Sequence, residues 1–536
     1  MVHGKVLVIA GSDPSGGAGL EADQKVLAAH GCYAMTSTTA LTIQNTKGVT
    51  GVHVIPSEVV GKQIEACLED IGADVIKTGM LASAETIQVI AQMITNFKVP
   101  ALVVDPVMVS TSGAQLLPHE AIAQLTQHLL PHTTVLTPNI PEATLLLSQN
   151  GHDVGEIQSV ADVEAMGRKI QALGPKWVLV KGGHMPFRRD LTVAKTKEEK
   201  EVVIDFLIGP EGTVVRIESP YQESTSTHGT GCSLASAISA RLAQGADVPT
   251  AVRGACRYIE AGIKTAPKIG NGHGPLDHFH STHVLPFSPG YFVEYLFEHP
   301  AVRDVWNEFL YHPFVMALGN GTLPLESFKG YIIQDYLYLI HFSRANALAA
   351  YKAKTIGDIS RSNEIITHIL HEMKLHVNYC NSFGISKPEI EATEELQGKL
   401  MPFFFLHITH SLSIPSSLLS RDPLLPCTAY TRYVLDVGQS EDWLALQMAL
   451  APCLLGYGAV AKMLHAHADT VREGNTYWAW IENYKADDYV EAVRLGSELI
   501  EKNIRLQSPS RIEELIKIFV HATRMEIGFW EMFPYK

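Results

Sequence analysis

Residues 1 to about 265 alternate short β-branched runs with helix-like stretches, and beyond residue 290 the β-runs almost vanish. A period of two and a period of 3.6 turn their apolar faces to different partners, so this change requires two cores of different class. In the first part Val6–Ala10, Val75–Lys77, Ala101–Asp105, Val135–Pro138 and Trp177–Lys181 read as strands. Several end in a turn carrying Gly, Asp or Asn before a helical stretch. Repeated βα units predict a mostly parallel sheet with helices on both faces, and ligands in such sheets gather at the carboxyl ends of the strands. Val202–Leu207 and Thr213–Glu218, around Gly209–Gly212, predict an antiparallel hairpin. In the second part helical periodicity covers 326–354, 358–383, 424–437, 442–467, 477–503 and 509–533, which predicts an all-α bundle.

Between the two parts, residues 266–290 are rich in Gly, Pro and His and read as a linker. The expected domains are therefore 1–270 and 291–536, joined by 271–290. The histidines at 273, 278, 280 and 283 are irregularly spaced, with no thiol or carboxylate set beside them, and read as solvated linker rather than metal ligands. The formal charge is −14, from 42 basic and 56 acidic side chains, which argues against a nucleic-acid partner. Seven scattered cysteines show neither a disulfide framework nor a paired CxxC site and suit a reducing compartment. The N-terminus lacks the basic-then-apolar pattern of a secretory leader. The apolar run Leu444–Ala461 contains Gln447, Pro452, Gly456 and Gly458 and reads as a buried bundle helix, not a membrane span. A cytoplasmic protein without membrane partners is expected.

Two glycine-rich stretches stand where chemistry wants them. Ala10–Gly19 (AGSDPSGGAG) follows the first strand and precedes a helix; it is neither a Walker loop nor a dinucleotide fingerprint, and a tight βα turn would look the same. Gly229, Thr230, Gly231 and Cys232 open the helix 233–243, where backbone N–H groups and the dipole form an anion hole suited to a phosphoryl group. Cys232 would lie beside an incoming hydroxyl, and a helix N-terminus lowers a thiol pKa. A small buried residue in a helix of small residues is the alternative.

These stretches, with ALTIQNT at 40–46, KTGM at 77–80, DPV at 105–107, TPNIPEA at 137–143, VKGGH at 180–184 and THGTGC at 227–232, resemble in order the hydroxymethylpyrimidine and hydroxymethylpyrimidine-phosphate kinase family. That family is a branch of the α/β ribokinase-like fold. The resemblance implies double phosphorylation of hydroxymethylpyrimidine with ATP as co-substrate and Mg2+. It implies that Asp23, Gln44, Met80 and Val107 surround the aminopyrimidine near Gly11, and that Cys232 faces the hydroxymethyl group. Asn139 and Glu142 would hold the magnesium–nucleotide, with Glu142 toward the metal. Asp105 would lie near the phosphates, with Lys181 offsetting their charge. The Gln44 amide both donates and accepts, which suits an aminopyrimidine edge. Most ribokinase-like enzymes carry Asp where this chain has Cys232.

In the helical part, Gln334, Asp335 and Tyr338 share one helix face, and Cys453 and Tyr457 are spaced i, i+4. Taken singly, Asp335 reads as a wetted helix face, Cys453 as core and Glu526 as a paired or surface carboxylate. A Glu in an apolar stretch is otherwise a raised-pKa proton donor. HPF at 312–314, GTLP at 321–324, QDYLYL at 334–339, TAY at 428–430, PCLLGY at 452–457, WIENY at 480–484 and EIGFW at 526–530 resemble the thiaminase II (TenA-like) family. Its fold is an all-α, haem-oxygenase-like helical bundle. The resemblance implies that Cys453 adds to the pyrimidine, Asp335 binds and activates the ring, and Glu526 protonates the leaving group. Tyr338, Tyr430, Tyr457 and Tyr484 would contact the ring, with Tyr430 preferred to Tyr433. Thiamine or aminomethyl pyrimidine would be hydrolysed to hydroxymethylpyrimidine.

Together the halves predict a thiamine-salvage enzyme acting on small-molecule pyrimidines and thiamine, homo-oligomeric through 291–536. Three alternatives remain: a pyridoxal-type kinase in the first half, a non-catalytic oligomerisation module in the second, or a ligand-binding regulator.

Overall fold

The computed structural model describes residues 2–108, 117–393 and 426–535. The chain divides into two compact units, Met1–Thr282 and His283–Lys536.

The first unit is built on nine strands: β1 (Lys5–Ser12), β2 (Tyr33–Asn45), β3 (Gly48–Val54), β4 (Val75–Thr78), β5 (Ala101–Val104), β6 (Val135–Leu136), β7 (Trp177–Val180), β8 (Val202–Ile208) and β9 (Val214–Pro220). Their order in one sheet is β3-β2-β1-β4-β5-β6-β7-β8-β9. β2, β1, β4, β5, β6 and β7 run parallel, as the βα repeats predict. β8 and β9 form the expected antiparallel hairpin. The central strands are apolar and buried on both faces, because helices cover both sides. β2 and β3 pair antiparallel with a register shift at Ile43/Gln44, and such a bulge re-aims the side chains that follow it.

The segment read as a linker is, over 271–282, part of the first unit. The His273 N–H donates to Thr46 O, Gly274 N–H to Thr225 O and Asp277 N–H to Gly262 O. Leu276 is buried, and the buried Tyr258 hydroxyl donates to His278 O. Neither is His278 solvated: it is buried and its Nε2 lies 3.2 Å from Ser233 Oγ. The glycines here allow backbone pairing at close quarters, so a composition typical of linkers serves as a strap.

The second unit is helical. Its long helices are Leu325–Lys352, Ile356–Ser382, Pro426–Ser440, Trp443–Ala466, Asp487–Ile504 and Pro509–Trp530. Residues 424 and 425 of one expected helix lie outside the described residues. The helix expected over 477–503 is two helices, Trp478–Asn483 and Asp487–Ile504, with Tyr484 at the break. Asp487 and Asp488 start the second one, where carboxylates favour a helix N-terminus. Trp443–Ala466 is long and apolar enough to cross a membrane, yet 83% of its most apolar window is buried in this bundle. Aromatic rings fill the core around it, among them Trp480, Trp530, Tyr331 and Phe309.

Candidate active sites

Five parallel strands deliver their carboxyl ends to a cleft of about 660 Å3 in the first unit. Gly11, Asp13, Gly79, Asp105, Asn139 and Lys181 lie at or just past those ends and line it. The start of the helix Thr230–Ala243 faces them.

Asp13 organises the glycine-rich turn. Its Oδ1 accepts from Ser15 N–H and Ser15 Oγ at 2.9 and 2.7 Å, and its Oδ2 from Ala18 N–H at 2.9 Å. Oδ2 also lies 2.8 Å from His228 Nε2, and that nitrogen is 3.2 Å from the Gln44 amide nitrogen. Gln44 accepts in turn from Thr42 Oγ1 at 3.1 Å. The Gln44 amide is thereby set at its oxygen by a strand hydroxyl, with its nitrogen beside a histidine fixed by a buried carboxylate. Burial pushes the Asp13 pKa up, but hydrogen bonds from His228 and Ser15 outweigh it and hold the carboxyl below its usual value. The two glycine stretches meet directly. Gly229 has φ +74°, and a Cβ there would lie 1.9 Å from Gly17 O. Gly229 caps the helix; the Thr230 N–H donates to Thr227 O, and the Gly231 and Cys232 N–H groups of the first turn, which lack intrahelical acceptors, face the cleft.

Lys181 Nζ lies 2.9 Å from Asp105 Oδ1 and 3.8 Å from Glu142 Oε2. Thr137 Oγ1 donates to the same Asp105 oxygen at 3.1 Å. Burial pulls the lysine pKa down, but Asp105 and Glu142 overcome this and raise it. Asn139 and Glu142 form a reciprocal capping box: Glu142 N–H donates to Asn139 Oδ1 at 2.9 Å and Asn139 N–H to Glu142 Oε2 at 2.8 Å. Burial pushes Glu142 up to about 7 against the pull of Lys181. Met80 and Val107 pack together beside Ala40 and Ala82 on the cleft wall, with Met80 Sδ close to Gly11.

Two expectations change. Asp23 does not line the cleft; it is fully buried, with Oδ2 2.8 Å from Lys77 Nζ and Oδ1 accepting from Ser236 Oγ at 2.7 Å. It anchors the lysine of KTGM beneath the floor. The Cys232 thiol is not lowered by its helix start. Burial pushes it up to about 11, with Asp23 and Asp105 adding to the rise, against the pull of Lys77 and the Gly19 N–H.

In the second unit, four helices bring Asp335, Cys453, Glu526, Tyr338, Tyr430 and Tyr457 together, and the helix break adds Tyr484. Glu526 is buried, and its Oε1 accepts from Tyr430 OH at 2.9 Å and its Oε2 from Tyr457 OH at 3.4 Å. Burial pushes the Glu526 pKa up to about 8, opposed by these hydroxyls and the Cys453 thiol. Cys453 follows Pro452 inside the helix Trp443–Ala466. Burial holds its thiol well above the usual range, and Glu526, Glu372 and Asp335 add to the rise. Tyr338 stacks on Tyr430 with centroids 4.9 Å apart. The structure sets Tyr430 on Glu526 and sends the Tyr433 hydroxyl to Ile518 O.

Asp335 Oδ2 lies 2.7 Å from His376 Nε2 and accepts from Tyr331 OH at 3.3 Å. The other ring nitrogen of His376 is 2.9 Å from Glu372 O. Burial pulls His376 down, but the Asp335 hydrogen bond and charge, with Glu372, raise it to about 9. The Glu372 carboxyl accepts from Tyr484 OH at 2.7 Å. Sequence reasoning missed Asp13, Lys77 and His228 in one unit and Glu372 and His376 in the other. His228 stands inside THGTGC and Asp13 inside AGSDPSGGAG, so both were within quoted motifs; Glu372 and His376 had no such signal.

Among the described residues no cluster of three or more His, Cys, Asp or Glu forms a metal site. Residues 13–277 match the family model for phosphomethylpyrimidine kinase, and residues 299–399 and 403–534 match that of the TENA/THI-4/PQQC family. A Schizosaccharomyces pombe protein assigned by name to hydroxymethylpyrimidine/phosphomethylpyrimidine kinases is 39% identical over 99% of this chain and 90% of its own. The hydroxymethylpyrimidine/phosphomethylpyrimidine kinase THI20 of Saccharomyces cerevisiae is 33% identical over 98% of this chain and 94% of its own. A solved structure of the pyridoxal kinase from Staphylococcus aureus with pyridoxal is similar at 31% identity over 52% of this chain and 95% of that chain, with a TM-score of 0.45.

Proposed function

The chain belongs to the phosphomethylpyrimidine kinase family over its first unit and to the TENA/THI-4/PQQC family over its second, and from this we propose a bifunctional thiamine-pathway enzyme. The first unit phosphorylates hydroxymethylpyrimidine and then its monophosphate, using ATP. The second releases hydroxymethylpyrimidine from thiamine or from aminomethyl pyrimidine.

For the kinase, the observation that carries the reading is the meeting of Gln44, Cys232 and Lys181 in one cleft. The Gln44 amide, set by His228 and Thr42, pairs with the aminopyrimidine edge. The N–H groups of Gly231 and Cys232 receive the transferring phosphoryl group, and Lys181 offsets its charge. With its pKa near 11, Cys232 is a neutral thiol at pH 7. It orients the substrate hydroxyl rather than acting as a ready base, and phosphoryl transfer tolerates this because positioning and electrostatics dominate. Asp105 and Glu142 present oxygen donors at the phosphate end. Two carboxylates fit magnesium, which takes the rest of its shell from phosphates and water. Magnesium, when bound, neutralises phosphate charge.

For the hydrolase, the carrying observation is Glu526 held between two tyrosine hydroxyls beside Cys453. Below pH 8 Glu526 is a carboxylic acid and supplies the proton that a departing amine needs, whereas thiazole leaves its thiazolium already neutral. Asp335, backed by protonated His376, binds the ring nitrogen and amino group. The Cys453 sulfur bonds to a ring carbon of the pyrimidine as a ring π bond opens and the thiol proton passes to the ring nitrogen held by Asp335; the bond from the methylene carbon to thiazole or amine then breaks. Water adds to the methylene carbon, its proton returning to the acid residue, and the C–S bond breaks as the ring nitrogen gives the proton back to sulfur. We place the enzyme in the cytoplasm, where seven free cysteines stay reduced, and assign homo-oligomer contacts to 291–536.

The test incubates the protein with thiamine or aminomethyl pyrimidine, with and without Mg-ATP, and weighs the products. Free hydroxymethylpyrimidine without ATP, converted to mono- and diphosphate with it, is the expected result. Phosphorylation of added hydroxymethylpyrimidine without any hydrolysis would defeat the reading of the second unit.

A further inference from the structure

A second concavity of about 510 Å3 lies in the first unit, lined by residues none of which line the catalytic cleft. Arg241, Arg253, Arg257 and His280 face it, and no carboxylate does. Three guanidinium groups in one concavity is not what composition dictates in a chain of net charge −14. Among the described residues none of the three arginines has an ion-pair partner. Asp247, an exposed cap of the helix Val248–Lys264, is held below its usual pKa by hydrogen bonds from Thr250, with a smaller contribution from the charge of Arg253. Like charges gathered without counter-charge repel one another, by an amount that an anion between them removes.

The geometry is built rather than loose. Arg241 Nε is buried and, among the described residues, has no hydrogen-bond partner. Its guanidinium lies against Gly254, where a Cβ would come within 2.5 Å of Cζ. Only a residue without a side chain lets the two helices carry the arginine in this position. Arg253 and Arg257 are one turn apart and share a face. His280 is fixed by a tilted ring contact with Tyr258, centroids 4.7 Å apart, and its Nε2 is 3.0 Å from Tyr258 O. The strap of residues 271–282 therefore supplies one wall.

We infer that this pocket binds the phosphate or diphosphate group of a small molecule, at a site separate from the catalytic cleft. Planar guanidinium forks match phosphate oxygens two at a time, and Arg253 and Arg257 are exposed to offer theirs. Arg241 lies nine residues beyond Cys232 on the same helix, about 14 Å along its axis. Cys256 and Ile259, neighbours of Arg257, line the catalytic cleft from the other face of their helix. An occupant would thus touch both helices that frame the nucleotide.

The experiment titrates inorganic pyrophosphate into the full chain by calorimetry, with the catalytic cleft saturated by a non-hydrolysable ATP analogue and hydroxymethylpyrimidine. One site per chain is expected, with affinity at least about tenfold weaker in Arg253→Ala/Arg257→Ala and in Arg241→Gln, since each charged hydrogen bond lost is worth more than a factor of ten. The kinase KM for ATP in these variants should stay within twofold, which shows that the cleft is intact. No binding once the cleft is filled, or binding untouched by the variants, overturns the proposal. Equal binding of sulfate at matched ionic strength means an adventitious ion only and overturns it too. Binding of acidic peptide or nucleic acid in preference to pyrophosphate would assign the patch to a macromolecule instead.

Discussion

Glu526 and His376 are both carried away from their usual pKa values by burial and by their neighbours, and each shift has a measurable sign. Glu526 must hold its proton to act as the acid, and burial raises its pKa to about 8. The acid form is complete well below pH 8 and is lost as the pH rises through it. Hydrolysis kcat should therefore fall on an alkaline limb near pH 8, read from a pH–rate profile. Glu526→Gln should lower kcat by roughly 10²–10⁴-fold, erase that limb and leave the kinase unchanged. His376 gives the second prediction. With a pKa of about 9 it is charged at neutral pH and faces Asp335 at 2.7 Å, both nearly fully buried. His376→Gln should raise the hydrolase KM more than it lowers kcat, because Asp335 is a ring-binding group. It should also destabilise the second unit by about 3–5 kcal/mol, the usual cost of stripping one partner from a buried pair, measured by denaturant unfolding. That contribution is complete below the unfolded histidine pKa of about 6.5, declines as the pH rises from there, and is lost once the pH passes about 9.

At the scale of elements, the kinase site depends on two turns touching. Gly229→Ala would put a methyl group into Gly17 O and force a positive φ on alanine. Backbone strain of this kind costs about 1–3 kcal/mol. The glycine-rich turn and the helix start should separate, with kinase activity lost by at least tenfold and hydrolysis unaffected in a coupled assay. The sequence carried the strands and their order of appearance, because β-branched runs between turns survive any tertiary context. It carried the glycine turns as well. It did not carry Asp23 into its place, because its partner Lys77 lies 54 positions away and only the folded sheet brings them together. Nor did it separate strap from linker: Gly, Pro and His at 271–282 have the same composition whether solvated or paired. The helix break at Tyr484 was missed because Lys485 and Ala486 continue a helical pattern as well as they interrupt one.

At the scale of the whole molecule, the two units carry separate cores and separate chemistry. A chain ending after Thr282 should keep kinase activity. One ending after Gly270 should lose solubility or several degrees of Tm in thermal unfolding, because Leu276 and the Tyr258–His278 contact go with it. Cys453→Ala should abolish hydrolysis and leave phosphorylation within a few-fold; loss of both would contradict independent sites. The burial of Cys453 has a further consequence. An attacking thiol is ordinarily the first casualty of peroxide or iodoacetamide, yet here the resting sulfur is a protonated, enclosed group that such reagents meet poorly. Mass-resolved alkylation should mark Cys453 slower than the partly exposed Cys67. A drug aimed at this cysteine would gain little from a hot electrophile. It would need the flat ring first, so that selectivity comes from recognition and the enzyme withholds its own reactivity until the right guest arrives.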